Sequence, residues 1–432
     1  MTLRESARSI FVAALAAGDV RPLVSRALAD IAPPDRGRVL VVGAGKASGA
    51  MAAAVEEAWG ARVTEGLVAV KEGYLAPTRR VRLVEAGHPV PDERGAQAAR
   101  EIRALVESAV GDDLVLVLVS GGGSALTPAP APPITLADKQ AVTRLLLAAG
   151  ATINQLNAVR KHCSLLKGGQ LARAAAPARV EALLLSDVVG DPLDVIASGP
   201  TTPDVSTFAE ALDILDGLAL RHRAPRAIVE RLEQGARGEI PETPKPGDPL
   251  FARVRNTVIG NNALVVDAAV SRARGLGLAP HVLTRGFEGE AREAAGRFVE
   301  LARLIQAGRG PVQAPACVIA SGETTVTVRG RGAGGRCQEF ALAAALAMEE
   351  MKGAVILAAG TDGTDGPTEA AGAVSDGASA ARARAHGLDP AARLADNDSN
   401  PVFARLGDLV VTGPTNTNLL DLYLLVVGPA GA

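Results

Sequence analysis

Aromatic side chains are almost absent from this chain. Its 432 residues include one Trp, two Tyr and seven Phe, 2% of the total. The core must therefore be packed from Ala, Val and Leu. Cysteine is as scarce: Cys163, Cys317 and Cys337 stand far apart with no CxxC pair, which excludes a disulfide framework and points to buried reduced thiols in a cytosolic protein. The five His show no metal-ligand spacing, which argues against a zinc hydrolase. The net charge of −2 gives no bulk electrostatic reason to expect nucleic acid or a membrane surface as partner. A membrane span is excluded too. The longest uncharged stretch, 114–137, is broken by three glycines and several prolines. Near the start, Arg4 and Arg8 and the apolar run 10–17 imitate a weak signal peptide. Glu5 interrupts the basic segment, and Phe11, Ala14 and Leu15 fit one helical face, so an amphipathic helix of the mature chain is expected.

What the chain has in abundance is apolar runs that stop at short loops of Gly, Ser, Thr or Asp. They feed VVGAGKASG, LVLVLVSGGGSAL, ALLLSDVVGD, CVIASGETTV, VILAAGTDGTDG and LVVTGPTNTN. In open α/β sheets the carboxyl ends of the strands face the ligand crevice. Small residues there let backbone N–H groups approach an anion, and carboxylates there can hold a divalent cation. So many such ends predict a site for a phosphorylated, metal-bound ligand.

The length predicts two domains. Strands are expected at 39–42, 67–70, 81–85, 114–119 and 180–185, and later at 254–259, 281–284, 317–320, 355–358 and 409–412. Thr/Val alternation in 323–328, and the closing run 420–427, suit exposed antiparallel strands. Helices are expected at 47–59, after Asp92, at 135–149, 162–175, 208–220 and 225–234. The Pro-, Gly- and charge-rich segment 237–250 reads as a linker. That predicts a Rossmann-like parallel-sheet α/β domain over 1–236 and a smaller, mixed-sheet α/β domain over 251–432.

Gly43, Gly45 and Gly49 surround Lys46 between a strand and a helix. The spacing GxGxxxG is not the dinucleotide fingerprint, and it is not a Walker A loop. It does put a cation where a phosphate would sit, with a solvated turn lysine as the plainer alternative. Ser120-Gly121-Gly122-Gly123-Ser124 can wrap an anion as a backbone nest. Arg160 and Lys167 are favoured over Lys161 and His162 as anion-binding groups, Arg for its two-pronged grip on a carboxylate. Asp187, Glu323 and Asp362 end strands and suit Mg²⁺ or a base, whereas Asp191 and Asp365 read first as turn or cap residues. Arg336 in the first turn of a helix opposes the helix dipole, which suggests an anionic ligand.

Taken together, GAGKASG, HPVPDE at 88–93, SGGGSAL, NAVRKH, KGGQLA, LLLSDVVGDPLDVIASGPT, ASGETTV, GGRCQEFAL, GTDGTDG and TGPTNTN resemble the class II glycerate 2-kinases, which end in a MOFRL domain. The match runs over nearly the whole chain. The resemblance implies ATP- and Mg²⁺-dependent phosphorylation of D-glycerate to 2-phosphoglycerate, with the active site in a cleft between the two domains. It also assigns catalytic weight to Lys46 and Arg336. One departure is Cys337, where the family usually has Asn. On this reading the glycine loops (Gly43, Gly45, Ser120–Ser124) hold ATP, Arg160 and Lys167 hold the substrate, Asp187 serves catalysis or metal, and Glu323 and Asp362 hold metal. The enzyme is expected to be cytoplasmic, a monomer or homodimer, without nucleic-acid or membrane partners. The rival is an NAD(P)H-dependent hydroxypyruvate reductase, against which the glycine spacing counts. A non-catalytic sensor of sugar acids or nucleotides is a third reading.

Overall fold

The computed structural model describes residues 1–429. Two compact units emerge: Val20–Ile259, and Met1–Asp19 together with the chain from Gly260 onward. Each is built on a six-stranded sheet.

In the first unit the strands are β1 (Val39–Ala44), β2 (Glu65–Lys71), β3 (Val81–Ala86), β4 (Leu114–Val119), β5 (Arg179–Leu185) and β6 (Val254–Gly260), in the order β3-β2-β1-β4-β5-β6. The pairs from β3 across to β5 are all parallel. Every residue of β1 and β4 is buried, which is why both read as unbroken apolar runs rather than alternating ones. Strand order reverses between β1 and β4, where a doubly wound sheet opens its ligand crevice.

In the second unit β7 (Ala279–Phe287), β8 (Ala316–Gly322), β9 (Ala354–Gly360), β10 (Gly372–Asp376), β11 (Leu409–Val410) and β12 (Asp421–Val427) are ordered β11-β10-β9-β12-β8-β7. β12 runs antiparallel between β8 and β9, and β7 runs parallel to β8. The sheet is mixed, as expected. Helices Ala291–Gln306 and Arg336–Ala347 cover it.

Several expectations need correction. The segment 237–250 is not a boundary here but part of the first unit. The Asp204 amide donates to the Pro244 carbonyl and Thr243 Oγ donates to Asp204, and the chain then enters β6 beside β5. Its Pro and Gly content marks irregular backbone that is nevertheless pinned. The first 19 residues pack in the second unit: the helix Leu3–Ala17, boxed by Thr2 and Glu5, buries Ile10, Phe11 and Ala14, and Arg4 pairs with Asp376 and Asp408 at 2.5 and 2.7 Å. Residues 323–328 form no strand. The Thr324 amide goes to the Tyr423 hydroxyl and the Thr327 amide to Glu290, so side chains take the bonds a sheet partner would have taken. The closing strand is antiparallel but central and wholly buried, not exposed. The helix expected over 162–175 is two helices, Ile153–His162 and Gln170–Ala175, separated by a turn with Gly168 and Gly169 at φ +57° and +78°. No helix among the described residues is long and apolar enough to cross a membrane.

Candidate active site

In the first unit the loops after β1, β4 and β5 leave one edge of the sheet side by side because those strands are parallel neighbours. The loops after β1 and β4 are sewn together. The Lys46 amide donates to the Gly121 carbonyl (2.9 Å), and the Ala47 amide donates to Ser120 Oγ (2.9 Å), which also bonds Ser48 Oγ. This explains the glycines. A Cβ on Gly43 would stand 2.0 Å from the Leu118 carbonyl oxygen, and one on Gly45 2.0 Å from Ser120 Oγ. Both positions serve the close approach of two neighbouring segments of the protein, and Ser120 is fully buried with its hydroxyl committed. Gly122, at φ +84°, faces the ring of His88 and the stem of Lys46. Lys46 itself is half-buried at this edge, and His88 arrives from the end of β3.

Behind the glycine loop lies a group of cations. Arg160 donates to Ser124 Oγ (2.5 Å), and Lys167 donates to the carbonyls of Ser124 and Thr127 (2.8 and 3.1 Å). Lys139, also buried, donates to the Pro128 carbonyl (2.5 Å). None of the three has a carboxylate partner among the described residues, and they act on one another only as like charges. Burial therefore pulls all of them down: Lys139 to about 7, Lys167 well below the usual lysine range, and Arg160 below the usual arginine range. The neighbours Lys161 and His162 are different. Lys161 lies 3.3 Å from buried Asp204 and 3.4 Å from Asp194, while His162 bonds the Ala158 carbonyl and Glu242. Their charges are answered within the fold, which favours the structural alternative for both.

In the second unit, register builds the site. β12 starts where β8 and β9 end, so Asp421 lies opposite both Gly322 and Gly360. Arg336, first residue of its helix, grips Asp421 with two bonds (2.5 and 2.9 Å) and reaches Glu323 at 2.5 Å. Burial opposes the guanidinium charge, yet Asp421 and then Glu323 hold it well above the usual arginine range. The Tyr423 hydroxyl donates to Asp421 (3.0 Å) and meets Thr324 Oγ (2.9 Å). Beneath it Phe287, Phe298 and Phe340 pack ring against ring with Tyr423, at centroid distances of 4.9–6.1 Å. Much of the chain's small aromatic allotment thus supports one ion pair. Asp365 accepts from the amides of Cys337 and Gln338, capping the helix as its composition suggested. The helix start is thus capped from within the protein by Asp365. The unfavourable placement of Arg336 against the dipole is offset inside the protein by Asp421 and Glu323.

Comparison with known proteins adds the identity. Residues 6–233 match the family described as "Domain of unknown function (DUF4147)", and residues 316–421 match the MOFRL family. A D-glycerate 2-kinase of Thermotoga maritima is 43% identical over 391 residues, 90% of each chain. An Agrobacterium vitis protein with a provisional hydroxypyruvate reductase name is also 43% identical, over 99% of this chain and 95% of that one. The crystal structure of a Thermotoga maritima glycerate kinase superposes with a TM-score of 0.87, at 39% identity, covering 98% of this chain and 99% of that one.

The chain belongs to the MOFRL-type glycerate kinase family. In this family member the residues singled out from sequence fall into both units. Lys46, Ser120–Ser124, Arg160, Lys167 and Asp187 lie in the first, and Glu323, Arg336 and Asp362 in the second. Asp187 is half-buried just after β5. Asp362, nearly buried after β9, accepts from the Thr364 amide and hydroxyl. No group of three or more His, Cys, Asp or Glu among the described residues is arranged to hold a metal. Sequence reasoning missed Asp421, Tyr423, His88, Lys139, Asn157 and Ser198. Three of these left a trace: HPVPDE contains His88, NAVRKH begins with Asn157, and LLLSDVVGDPLDVIASGPT contains Ser198; the capping pattern Thr152-x-x-Gln155 also announces the helix that carries Asn157 and Arg160. Cys337 is buried against Asp421, where burial first and that carboxylate second push its thiol well up, so it stays protonated.

Proposed function

We propose that the chain transfers the γ-phosphoryl group of ATP to the 2-hydroxyl of D-glycerate, giving 2-phosphoglycerate and ADP. The observation that carries this reading is the set of buried cations without carboxylates behind the glycine loop. An always-charged guanidinium taken partly out of water and left without a counter-ion is costly unless an anion completes it. The glycerate carboxylate supplies that anion at Arg160, with Lys167 holding the loop that presents Ser124. Lys46 serves the phosphoryl transfer by offsetting charge on the moving group, since this chemistry relies on positioning and electrostatics. The substrate hydroxyl oxygen forms the new bond to phosphorus, the bond from phosphorus to the β–γ bridging oxygen breaks, ADP leaves with that electron pair, and Asp187 takes the hydroxyl proton. Bound Mg²⁺ would neutralise phosphate charge, with Glu323 and Asp362 as its protein ligands. The backbone of 121–123, where half-buried Gly122 lies beside Lys46, is the part of the glycine loops retained for ATP contact. The three buried free thiols accord with a cytoplasmic enzyme.

The reductase reading fares worse physically. The loops after β1 and β4 are joined by the bonds from Lys46 and Ala47 to Gly121 and Ser120, and their glycine spacing is not the dinucleotide fingerprint. The decisive assay compares ADP release with D-glycerate against NADH oxidation with hydroxypyruvate, with the product identified by NMR. ADP release with 2-phosphoglycerate as product is expected. NADH oxidation without ADP release would replace the proposal, and 3-phosphoglycerate as product would correct its position.

A further inference from the structure

Arg160 has no counter-ion among the described residues, so something else must fix its guanidinium. The structure shows a chain of hydroxyls that does so. Ser198 Oγ donates its one proton to Asn157 Oδ1 (3.0 Å), and Ser198 Oγ lies 3.0 Å from Ser124 Oγ. Ser198 has then spent its proton, so Ser124 donates to Ser198 and offers its lone pairs to Arg160, a group that can only donate. The chain runs one way, from guanidinium to Ser124 to Ser198 to Asn157, and it needs an acceptor at its end. Asn157 and Arg160 stand three residues apart on the helix Ile153–His162 and share a face. Asn157 is 4% exposed, and its Nδ2 is a buried donor with no partner among the described residues. An Asp of the same shape would accept the same bond and relieve that orphaned donor. The fold instead tolerates the orphan and keeps the position neutral.

We infer that Asn157 is a positioning and specificity-determining residue for the acceptor's carboxylate: it terminates the hydroxyl chain that aims Arg160 and, being uncharged, leaves the positive charge of Arg160 for the substrate. The inference rests on the kinase reading above and deepens it. The site is built to read a carboxylate next to the hydroxyl being phosphorylated, which separates D-glycerate from neutral polyols of the same size.

The test replaces Asn157→Asp, which keeps size and the accepting oxygen but adds a counter-charge, and Ser198→Ala, which breaks the chain without adding charge. KM for D-glycerate, KM for ATP, kcat and melting temperature are measured for each. The preference for D-glycerate over its uncharged amide is measured as well. N157D is expected to raise the glycerate KM by roughly tenfold or more and to shrink the preference for the acid by a similar factor, with the ATP KM unchanged. S198A is expected to raise the glycerate KM by less, again without moving the ATP KM. A merely structural role would lower the melting temperature and spread the loss over both substrates, and that pattern overturns the inference. So does an N157D enzyme whose glycerate KM and acid preference match the wild type, or an S198A enzyme with an unaltered glycerate KM. Wild-type protein without glycerate-dependent ADP release would remove the kinase reading itself. Active wild type with unaffected variants removes only this inference.

Discussion

Arg160 and Arg336 are handled in opposite ways by their units. Arg336 is clasped by Asp421 and Glu323, with Tyr423 and an aromatic cluster behind the pair. Arg160 has a serine hydroxyl, two neighbouring lysines and, among the described residues, no carboxylate. A guanidinium answered within the fold is fixed in place and contributes to the fold. One that is left unanswered costs stability and gains a ligand. The contrast separates a side chain placed by ion pairing from one reserved for recognition, although sequence alone had assigned both to anions.

The strongest way to break this contrast is Arg336→Met, which strands Asp421, 2% exposed, beside Tyr423. A loss of about 3–5 kcal/mol in chemical denaturation is expected, together with loss of turnover. An unchanged denaturation midpoint would mean the ion pair is dispensable. Next comes Lys46→Ala, expected to lower kcat roughly 10²–10³-fold at unaltered melting temperature. Steady-state kinetics alongside calorimetry checks it, and full turnover would remove Lys46 from catalysis. Arg160→Met should raise the KM for glycerate roughly tenfold or more while leaving stability equal or higher, because it removes an unbalanced charge. Destabilisation of the size expected for Arg336→Met would erase the distinction drawn here.

The smallest change, read per pH unit, sharpens the paired side. Burial first, and then the nearby Asp421 charge, raise Asp365 from 3.8 to about 7, against the helix amides that favour its ionised form. The unfolded chain ionises this group near its ordinary value. Between about pH 4 and 7 the folded protein therefore holds the extra proton. The stability contribution is full below that window and is lost as pH rises through it, at no more than about 1.4 kcal/mol per pH unit. Asp365→Asn should flatten this stretch of the melting-temperature profile. A slope identical to wild type would show that Asp365 titrates elsewhere.

The sheets were largely legible in the sequence because buried parallel strands are continuous apolar runs bounded by small residues, as β1 and β4 show. Legibility failed where long-range partners decide. Asp421 meets Arg336 from 85 positions away, through a register that no local pattern reveals. The Thr/Val alternation of 323–328 is a valid strand signal, overruled by Glu290 and Tyr423. β10 is short and begins with Gly372, so its apolar content is too small to stand out. The glycines around Lys46 were correctly marked as special. The cause is contact between neighbouring backbones, which a spacing rule cannot distinguish from contact with phosphate.

The placement of the helix Leu3–Ala17 has a consequence for biosynthesis. Its packing partners come from the chain beyond Gly260, while residues 20–259 make a unit of their own. The middle of the polypeptide is thus able to finish folding on the ribosome, but the helix Leu3–Ala17 must wait, with Ile10 and Phe11 uncovered, until the chain beyond Gly260 has been synthesised. Chaperone dependence and vulnerability of nascent chains to proteases should concentrate on those first residues.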